Sequence, residues 1–265
     1  MGKLKIVTFN IRTLYSSHID GVNSFIHRGG MILEKIRMEK PHIICFQEVS
    51  DPIREFLNNY LTDYIILGHG RNADLKGEGL SFAYRKNSME ALFFESFWLS
   101  PTPYVPASRY KNQSDCPRIC PHIVVKHKDM KAPISLYNVH LDHIGEEARI
   151  EGIRQIVDMI SEYKKKMDCP TFILGDFNAY PDSETVSFLK AYNNSEFVDL
   201  SKNTGVTYHA FRGERGIGNG ESAKIDYIFT DKVTARKPYT VTKWEDSQNG
   251  IFLSDHYPIC LEIEI

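Results

Sequence analysis

The 265-residue sequence predicts an α/β (α+β) fold in which two mixed β-sheets pack together with helices on their outer faces. Three observations lead there. Short apolar runs rich in β-branched residues recur along the chain and read as strands. Amphipathic helices separate some of these runs but not others, so no simple repeated strand–helix–strand unit takes shape. The runs also end in short polar clusters spread from residue 10 to residue 256, and no Pro/Gly/Ser-rich linker divides them. Residues 1–265 are therefore expected to form one domain around one site.

Residues 4–11 alternate and form the first strand. Residues 30–38 carry Ile32, Leu33 and Ile36 at helical spacing until Pro41 stops the run. Residues 42–46 make a short buried strand that delivers Gln47 and Glu48 to its end. Ser50 is placed to cap a helix reaching about residue 61, with Pro52 in its first turn. Strands follow near residues 64–67, 80–85 and 91–98. Residues 100–120 read as one long loop, and loops of that length usually serve a function.

Strands at 122–126 and 134–138 lead to a helix over 146–165, with Ile150, Ile153, Val157 and Ile160 on one face. Its end carries Lys164, Lys165 and Lys166, where the helix dipole favours cations. A strand at 171–174 precedes a helix at 183–191 capped by Ser183 or Asp182. The Gly-rich stretch 213–220 lacks the following Lys-Ser/Thr of a phosphate-binding loop and reads as a flexible hairpin tip. Strands near 225–229, 240–244 and 259–265 close the chain.

Composition narrows the class. With 42% hydrophobic and 25% charged residues the chain is of ordinary globular type, and its formal net charge of −2 gives no support for a protein coated in nucleic acid. The five cysteines are odd in number and scattered, without the paired spacing of a structural zinc site. Cys45 and Cys260 sit in apolar runs and read as small buried hydrophobes. The chain enters its first strand without a signal-peptide apolar region, and no apolar run approaches the length that spans a bilayer. A cytoplasmic protein in a reducing compartment, with no stable membrane insertion, is expected.

The polar clusters carry the chemistry. Asn10, Glu48 and Asp255 each adjoin an apolar strand and offer side-chain oxygens, a donor set that selects Mg²⁺, Mn²⁺ or Ca²⁺ over zinc. His256 precedes the last strand, and Asp226, flanked by Ile225 and Ile228, needs a partner to justify its burial. A carboxylate behind an imidazole raises its pKa and makes it a cationic donor for a negative oxygen. His140, at the end of another strand, is a second such donor, whereas His143 faces solvent. In Gly175-Asp176-Phe177-Asn178, alternation puts Asp176 and Asn178 on one side, and the glycine allows close approach of a ligand. Trp98 and Arg109, with Tyr104, Tyr110 and Lys111, are placed to stack on and neutralise a nucleotide-like substrate, and Arg118 to contact phosphate.

These motifs in this order resemble the endonuclease/exonuclease/phosphatase superfamily, the DNase I-like fold, over nearly the whole chain. They run Thr8-Phe9-Asn10, Gln47-Glu48, Asn138-Val139-His140-Leu141-Asp142, Gly175-Asp176-Phe177-Asn178, Ile225-Asp226-Tyr227-Ile228 and Ser254-Asp255-His256-Tyr257-Pro258. The opening lacks the Trp-Asn of abasic-site nucleases, and Gly-Asp-Phe-Asn lacks the continuation of inositol polyphosphate 5-phosphatases. The chain looks most like an uncharacterised bacterial branch distantly similar to deadenylase and nocturnin-like phosphohydrolases. The resemblance implies a four-layer αββα sandwich, with Glu48 as main ligand of Mg²⁺ (or Mn²⁺) helped by Asn10 and Asp255. It further implies that Asp176 positions or deprotonates water, Asn178 holds phosphate, and His256, backed by Asp226, acts with His140 on the phosphoryl oxygens. The expected activity is hydrolysis of a phosphate ester by a monomer, as a phosphodiesterase or nuclease or as a nucleotide phosphatase. Sphingomyelinase-like or phosphoinositide activity and a non-catalytic binding module are the alternatives.

Overall fold

In the computed structural model of the protein, which describes residues 3–193, 196–216 and 222–264, the central strands bury residues of both parities, so each sheet is covered on two faces. The first sheet has the order β11-β14-β1-β2-β4-β3 and the second β5-β6-β7-β8-β10-β9. The first is built from β1 (Lys3–Asn10), β2 (Ile43–Val49), β3 (Tyr64–Gly70), β4 (Gly79–Arg85), β11 (Tyr239–Lys243) and β14 (Ile259–Glu264). The second contains β5 (Met89–Trp98), β6 (Ile119–His127), β7 (Ile134–His140), β8 (Thr171–Asp176), β9 (Phe197–Asp199) and β10 (Asp226–Asp231). A small hairpin, β12 (Ser247–Gln248) and β13 (Ile251–Phe252), stands apart.

Helices α1 (Ser17–Asp20), α2 (Phe25–Glu39) and α3 (Asp51–Tyr60) belong to the first half, α4 (Glu146–Lys164) and α5 (Glu184–Ala191) to the second. Three apolar clusters define the layers. Ile32, Leu33, Ile36, Ile53 and Leu57 pack α2 and α3 on Val7, Phe9, Ile44 and Phe46. Leu4, Ile6, Cys45, Ile123, Leu136, Phe172, Leu174 and Ile228 fill the space between the sheets. Ile153, Ile156, Val157, Val186 and Leu189 pack α4 and α5 on Tyr137, Val139, Ile173 and Phe229. The order helix, sheet, sheet, helix is the expected αββα sandwich.

Both sheets have a parallel pair at the centre, β1 with β2 and β7 with β8, and antiparallel partners outside it. The carboxyl ends of β1, β2, β7 and β8 therefore meet the amino ends of β6, β10 and β14 at one edge. Along β1, Asn10 is in phase with inward-facing Leu4 and Ile6. The same parity carries His140 after Leu136, Asp176 after Leu174, and Asp226 before Ile228.

Several local readings need correction. The first long helix starts at Phe25 and not near residue 30, because Ser24 sits at its N-cap position and Gly29 and Gly30 are helical. Ser50 occupies the N-cap of α3 without a side-chain cap bond, whereas Ser183 does accept from Val186. Residues 213–216 form a 3₁₀ turn, and the remainder of the expected hairpin tip at 217–220 lies outside the described residues. Gly175 is needed for its neighbouring strand rather than for a ligand: at φ 142°, an added Cβ would lie 1.9 Å from the Val139 carbonyl oxygen on β7. The five cysteines are free, and Cys45 and Cys260 are buried as expected.

Two measurements check this account. Gly175→Ala should cost about 3 kcal/mol in chemical denaturation, since β7 and β8 must separate to admit the methyl group. At the opposite end of the sheets His42 accepts the Lys5 backbone N–H at 2.9 Å through Nδ1, and burial with the nearby charges of His127 and Arg85 lowers its pKa to about 4. The unfolded chain takes up this proton near pH 6.5 and the folded chain resists it until about 4, so this stability is intact above pH 6.5 and is lost as pH falls through that window. Urea midpoints followed against pH should show this slope in the wild type and a flatter one in His42→Asn.

Candidate active site

A cavity of about 610 Å³ opens where the strand ends meet. Glu48, His140, Asp176, Asn178, Asp255 and His256 all line it. Asn10 and Asp226 stand directly behind these groups. The Asn10 amide nitrogen donates to Glu48 Oε1 and to Asp176 Oδ2, both at 3.0 Å, and so ties the first sheet to the second. Its oxygen accepts the Arg12 backbone N–H at 3.1 Å. Asn10 thus presents its nitrogen rather than its oxygen to the carboxylates, which makes it a tether among the three expected ligands.

Glu48 reaches the cavity by a local departure from strand geometry. Simple alternation would send it outward with Ile44 and Phe46. Pairing of β2 with β4 slips between Phe46 and Val49, and Glu48 itself has φ 60°. This extra residue is a β-bulge, which turns the side chain back toward the cavity. Glu48 Oε2 then accepts the Thr13 backbone N–H at 2.9 Å. Burial would raise its pKa, but Arg12, the Thr13 N–H and Asn10 hold it below the ordinary carboxylate value.

His256 donates through Nδ1 to Asp226 Oδ2 at 2.8 Å, and its Nε2 lies 3.8 Å from Asp176 Oδ2. Burial disfavours its cation, yet Asp226, helped by Asp176 and Asp255, raises its pKa to about 10. The Thr207 hydroxyl accepts the backbone N–H groups of Ile225 and Asp226, and Tyr208 lies against the imidazole with centroids 5.0 Å apart. Asp176 is pushed up to about 7, chiefly by burial and then by the charge of Asp226. One of its oxygens accepts the Asn178 backbone N–H at 2.9 Å, and His140 Nε2 stands 3.6 Å from the other. Burial, with Arg118 and Arg71 nearby, keeps His140 neutral by lowering its pKa. The Asn178 side chain donates to the Leu141 carbonyl at 3.0 Å, which fixes the loop after β8.

The donor set can be tested for a cation. Asp176, Asp226 and His256 bring ligand atoms within 4.8 Å of one another, but the imidazole Nδ1 is already bonded to Asp226 and its ring is held cationic. Glu48 and Asp255 are the better pair. Both are carboxylates that line the cavity, and Asp255 is raised by burial and, against the pull of His256, by the charge of Glu48. Arg12 is the cation beside them, 3.5 Å from Asp255 and shared with Asp20. Two crowded carboxylates with one shared guanidinium suit a hard divalent cation.

Some expectations fail. Trp98 is 4% exposed, donates its indole N–H to the Arg71 carbonyl and packs with Leu80 and Ile119, so it offers no stacking face. Arg109 is turned to Asp115 and the Ser114 carbonyl and does not line the cavity. Arg118 does line it, and so does His143, which is exposed as expected. Sequence reading passed over Arg12, Arg71, Tyr180 and Tyr208, which also line the cavity. It passed over Arg28 as well. This wholly buried guanidinium donates to the carbonyls of Ile11, Arg12, Asn23 and Leu253, clamping the loop after β1 to the segment that delivers Asp255 and His256.

Comparison with known proteins agrees with this layout. The model of the Endonuclease/Exonuclease/phosphatase family matches residues 7–256. An uncharacterized protein of Acanthamoeba polyphaga mimivirus is 26% identical over 98% of this chain and 100% of its own length. The crystal structure of an endonuclease/exonuclease/phosphatase from Bacteroides vulgatus superposes with a TM-score of 0.88 at 26% identity, covering 100% of both chains. That of a mannosyl-6-phosphatase from Bacteroides thetaiotaomicron gives 0.85 at 22% identity, covering 99% of this chain and 100% of that one.

The imidazole–carboxylate pair makes a direct prediction. In metal-free protein the His256 ring followed by NMR should titrate near pH 10, and Asp226→Asn should bring that midpoint down by several units. An unmoved midpoint would show that Asp226 does not hold the charge.

Proposed function

Because the chain belongs to the endonuclease/exonuclease/phosphatase family, and so is a phosphoric ester hydrolase, we propose that its cavity cleaves the phosphate ester of a small polar molecule, a nucleotide or a sugar, with the help of Mg²⁺ or Mn²⁺. The observation that carries the reading is the pairing of a carboxyl poised near neutrality, Asp176, with an imidazole, His256, that Asp226 holds cationic at neutral pH, beside the Glu48–Asp255 carboxylates.

Glu48 and Asp255 would hold the cation, which when bound draws charge from the phosphoryl and leaving oxygens. Asp176 takes the proton of the attacking water, its oxygens aligned by the Asn178 N–H and the Asn10 amide. His256 donates to a phosphoryl oxygen as negative charge gathers there, with Asp226 keeping the ring charged and oriented. Neutral His140 serves as a second donor on the β7 side. Asn10 and Arg28 act through others: the amide orients Glu48 and Asp176, and the guanidinium holds the two loops that bear the ligands.

A small ester is favoured over a long nucleic-acid strand. The cavity volume lies in the small-molecule range, and the two groups expected to stack on and neutralise a nucleotide-like substrate, Trp98 and Arg109, do not face it. Tyr180, 59% exposed at the cavity edge, and Tyr208 are left as the surfaces for the leaving group. The sugar-phosphate arm draws on the similarity of fold to the mannosyl-6-phosphatase. We read the whole chain as one catalytic unit acting as a monomer.

The test is a Mg²⁺/Mn²⁺ assay panel of sugar phosphates, nucleotides, a generic phosphodiester, oligonucleotides, sphingomyelin and a phosphoinositide. EDTA should abolish turnover of a small ester. Asp176→Asn and His256→Ala should each lower kcat by roughly 10²–10⁴-fold, and Glu48→Gln should raise the metal concentration needed for half-activity. Full turnover in both of the first two variants would remove this mechanism.

A further inference from the structure

The β6 side of the cavity contains a cationic group that the reaction above does not use. Arg118 immediately precedes β6, is 4% exposed and lines the cavity, yet its Nε and Nη1 have no hydrogen-bond partner. Only Nη2 is engaged, 3.0 Å from His143 Nδ1. The nearest carboxylate does not answer the need: Asp142 lies 3.8 Å from Nε, and its oxygens already accept from Ser114, Ile144 and Gly145. Besides Arg12, two more guanidiniums line the same cavity. Arg71 is paired with Glu78 at 2.8 Å, and Arg149, bonded to Glu146 and the Asp142 carbonyl, keeps a buried Nε without a partner.

Buried guanidinium donors are ordinarily filled, and a planar fork with free N–H groups matches the oxygens of a phosphate. We propose that Arg118, flanked by Arg71 and Arg149, forms a second anion subsite that takes a phosphate group of the substrate other than the scissile one. The inference rests on the hydrolase reading of this cavity and narrows it to small bisphosphates with phosphates on different carbons. Strand order sets the spacing. β7, with His140, lies between β6 and β8, so Arg118 and Asp176 belong to strands two apart, roughly 10 Å between axes. One phosphoryl group held between Asp176 and His256 leaves Arg118 free for another.

Two arms test this. In the first, inorganic phosphate is titrated calorimetrically into EDTA-treated protein. Wild type and Glu48→Gln should bind it alike, and Arg118→Gln should bind at least 10-fold more weakly. In the second, Mg²⁺-dependent turnover is compared for glucose 1,6-bisphosphate against glucose 6-phosphate and for adenosine 3′,5′-bisphosphate against adenosine 5′-phosphate. Wild type should prefer the bisphosphate of at least one pair by 10-fold or more in KM. Arg118→Gln should erase that preference, and Arg118→Lys should restore part of it. Phosphate binding that ignores Arg118, no preference in either pair, or an equal loss on mono- and bisphosphates would each overturn the subsite. Arg118-dependent phosphate binding without turnover of any ester would instead uphold the subsite and sink the hydrolase reading. Should Arg118→Gln fail to fold, Arg71→Gln carries both arms and should show the same losses.

Discussion

The arrangement depends on one electrostatic constraint: four carboxylates, from the half-buried Glu48 and the buried Asp176, Asp226 and Asp255, crowd together where two sheets meet. Removing such charges from water is costly unless each is paired or hydrogen-bonded. The protein answers with Arg12, a cationic His256, the Asn10 amide and backbone N–H groups from Thr13 and Asn178. Arg12 is divided between Asp255 and Asp20, so positive charge at this end stays short. Burial first, and then the neighbouring carboxylates that this shortage leaves uncompensated, raise Asp176 and Asp255, and Asp176 comes to about 7. Such a deficit would favour a divalent cation or a proton at this end of the cavity.

The β6 side of the cavity shows the opposite imbalance. There the guanidinium of Arg118 has donors without acceptors, and the carboxylate closest to it is occupied by its own loop. A substrate with two anionic groups would meet unmet needs at both ends. One end would take it through charge borne by a bound cation and His256, the other through direct hydrogen bonds. Charge polarity across a pocket of this size can orient a small molecule before any shape recognition operates.

Much of this was legible in the residues, and the limits are physical. Strand parity is a two-residue rule, so Asn10, His140, Asp176 and Asp226 could be placed on the inward face from the apolar residues of the same parity in their strands. Glu48 was found by its motif, although its direction comes from a bulge that alternation cannot reveal. Trp98 shows the converse. Its position at the end of a strand suggested a stacking surface, but the partner that buries it, the Arg71 carbonyl, is remote in sequence. Arg28 carried no signal at all: its acceptors are backbone carbonyls from three separate segments, which no side-chain pattern encodes.

Topology explains why these groups come to one edge. A parallel pair needs a crossover, and the crossover helices cover the outer faces, so α2 lies on the first sheet and α4 on the second. Each central pair then points two carboxyl ends the same way, and the antiparallel strands beside it contribute amino ends to that edge. Groups at the start of β10 and before β14 can thereby face those at the ends of β1, β2, β7 and β8. The two halves still need a joint at the edge itself, beyond the apolar layer between them. The Asn10 amide, bonded to Glu48 in its own sheet and to Asp176 in the other, makes that joint. Any sliding of one sheet on the other would therefore be felt first as a change in the distance between Glu48 and Asp176.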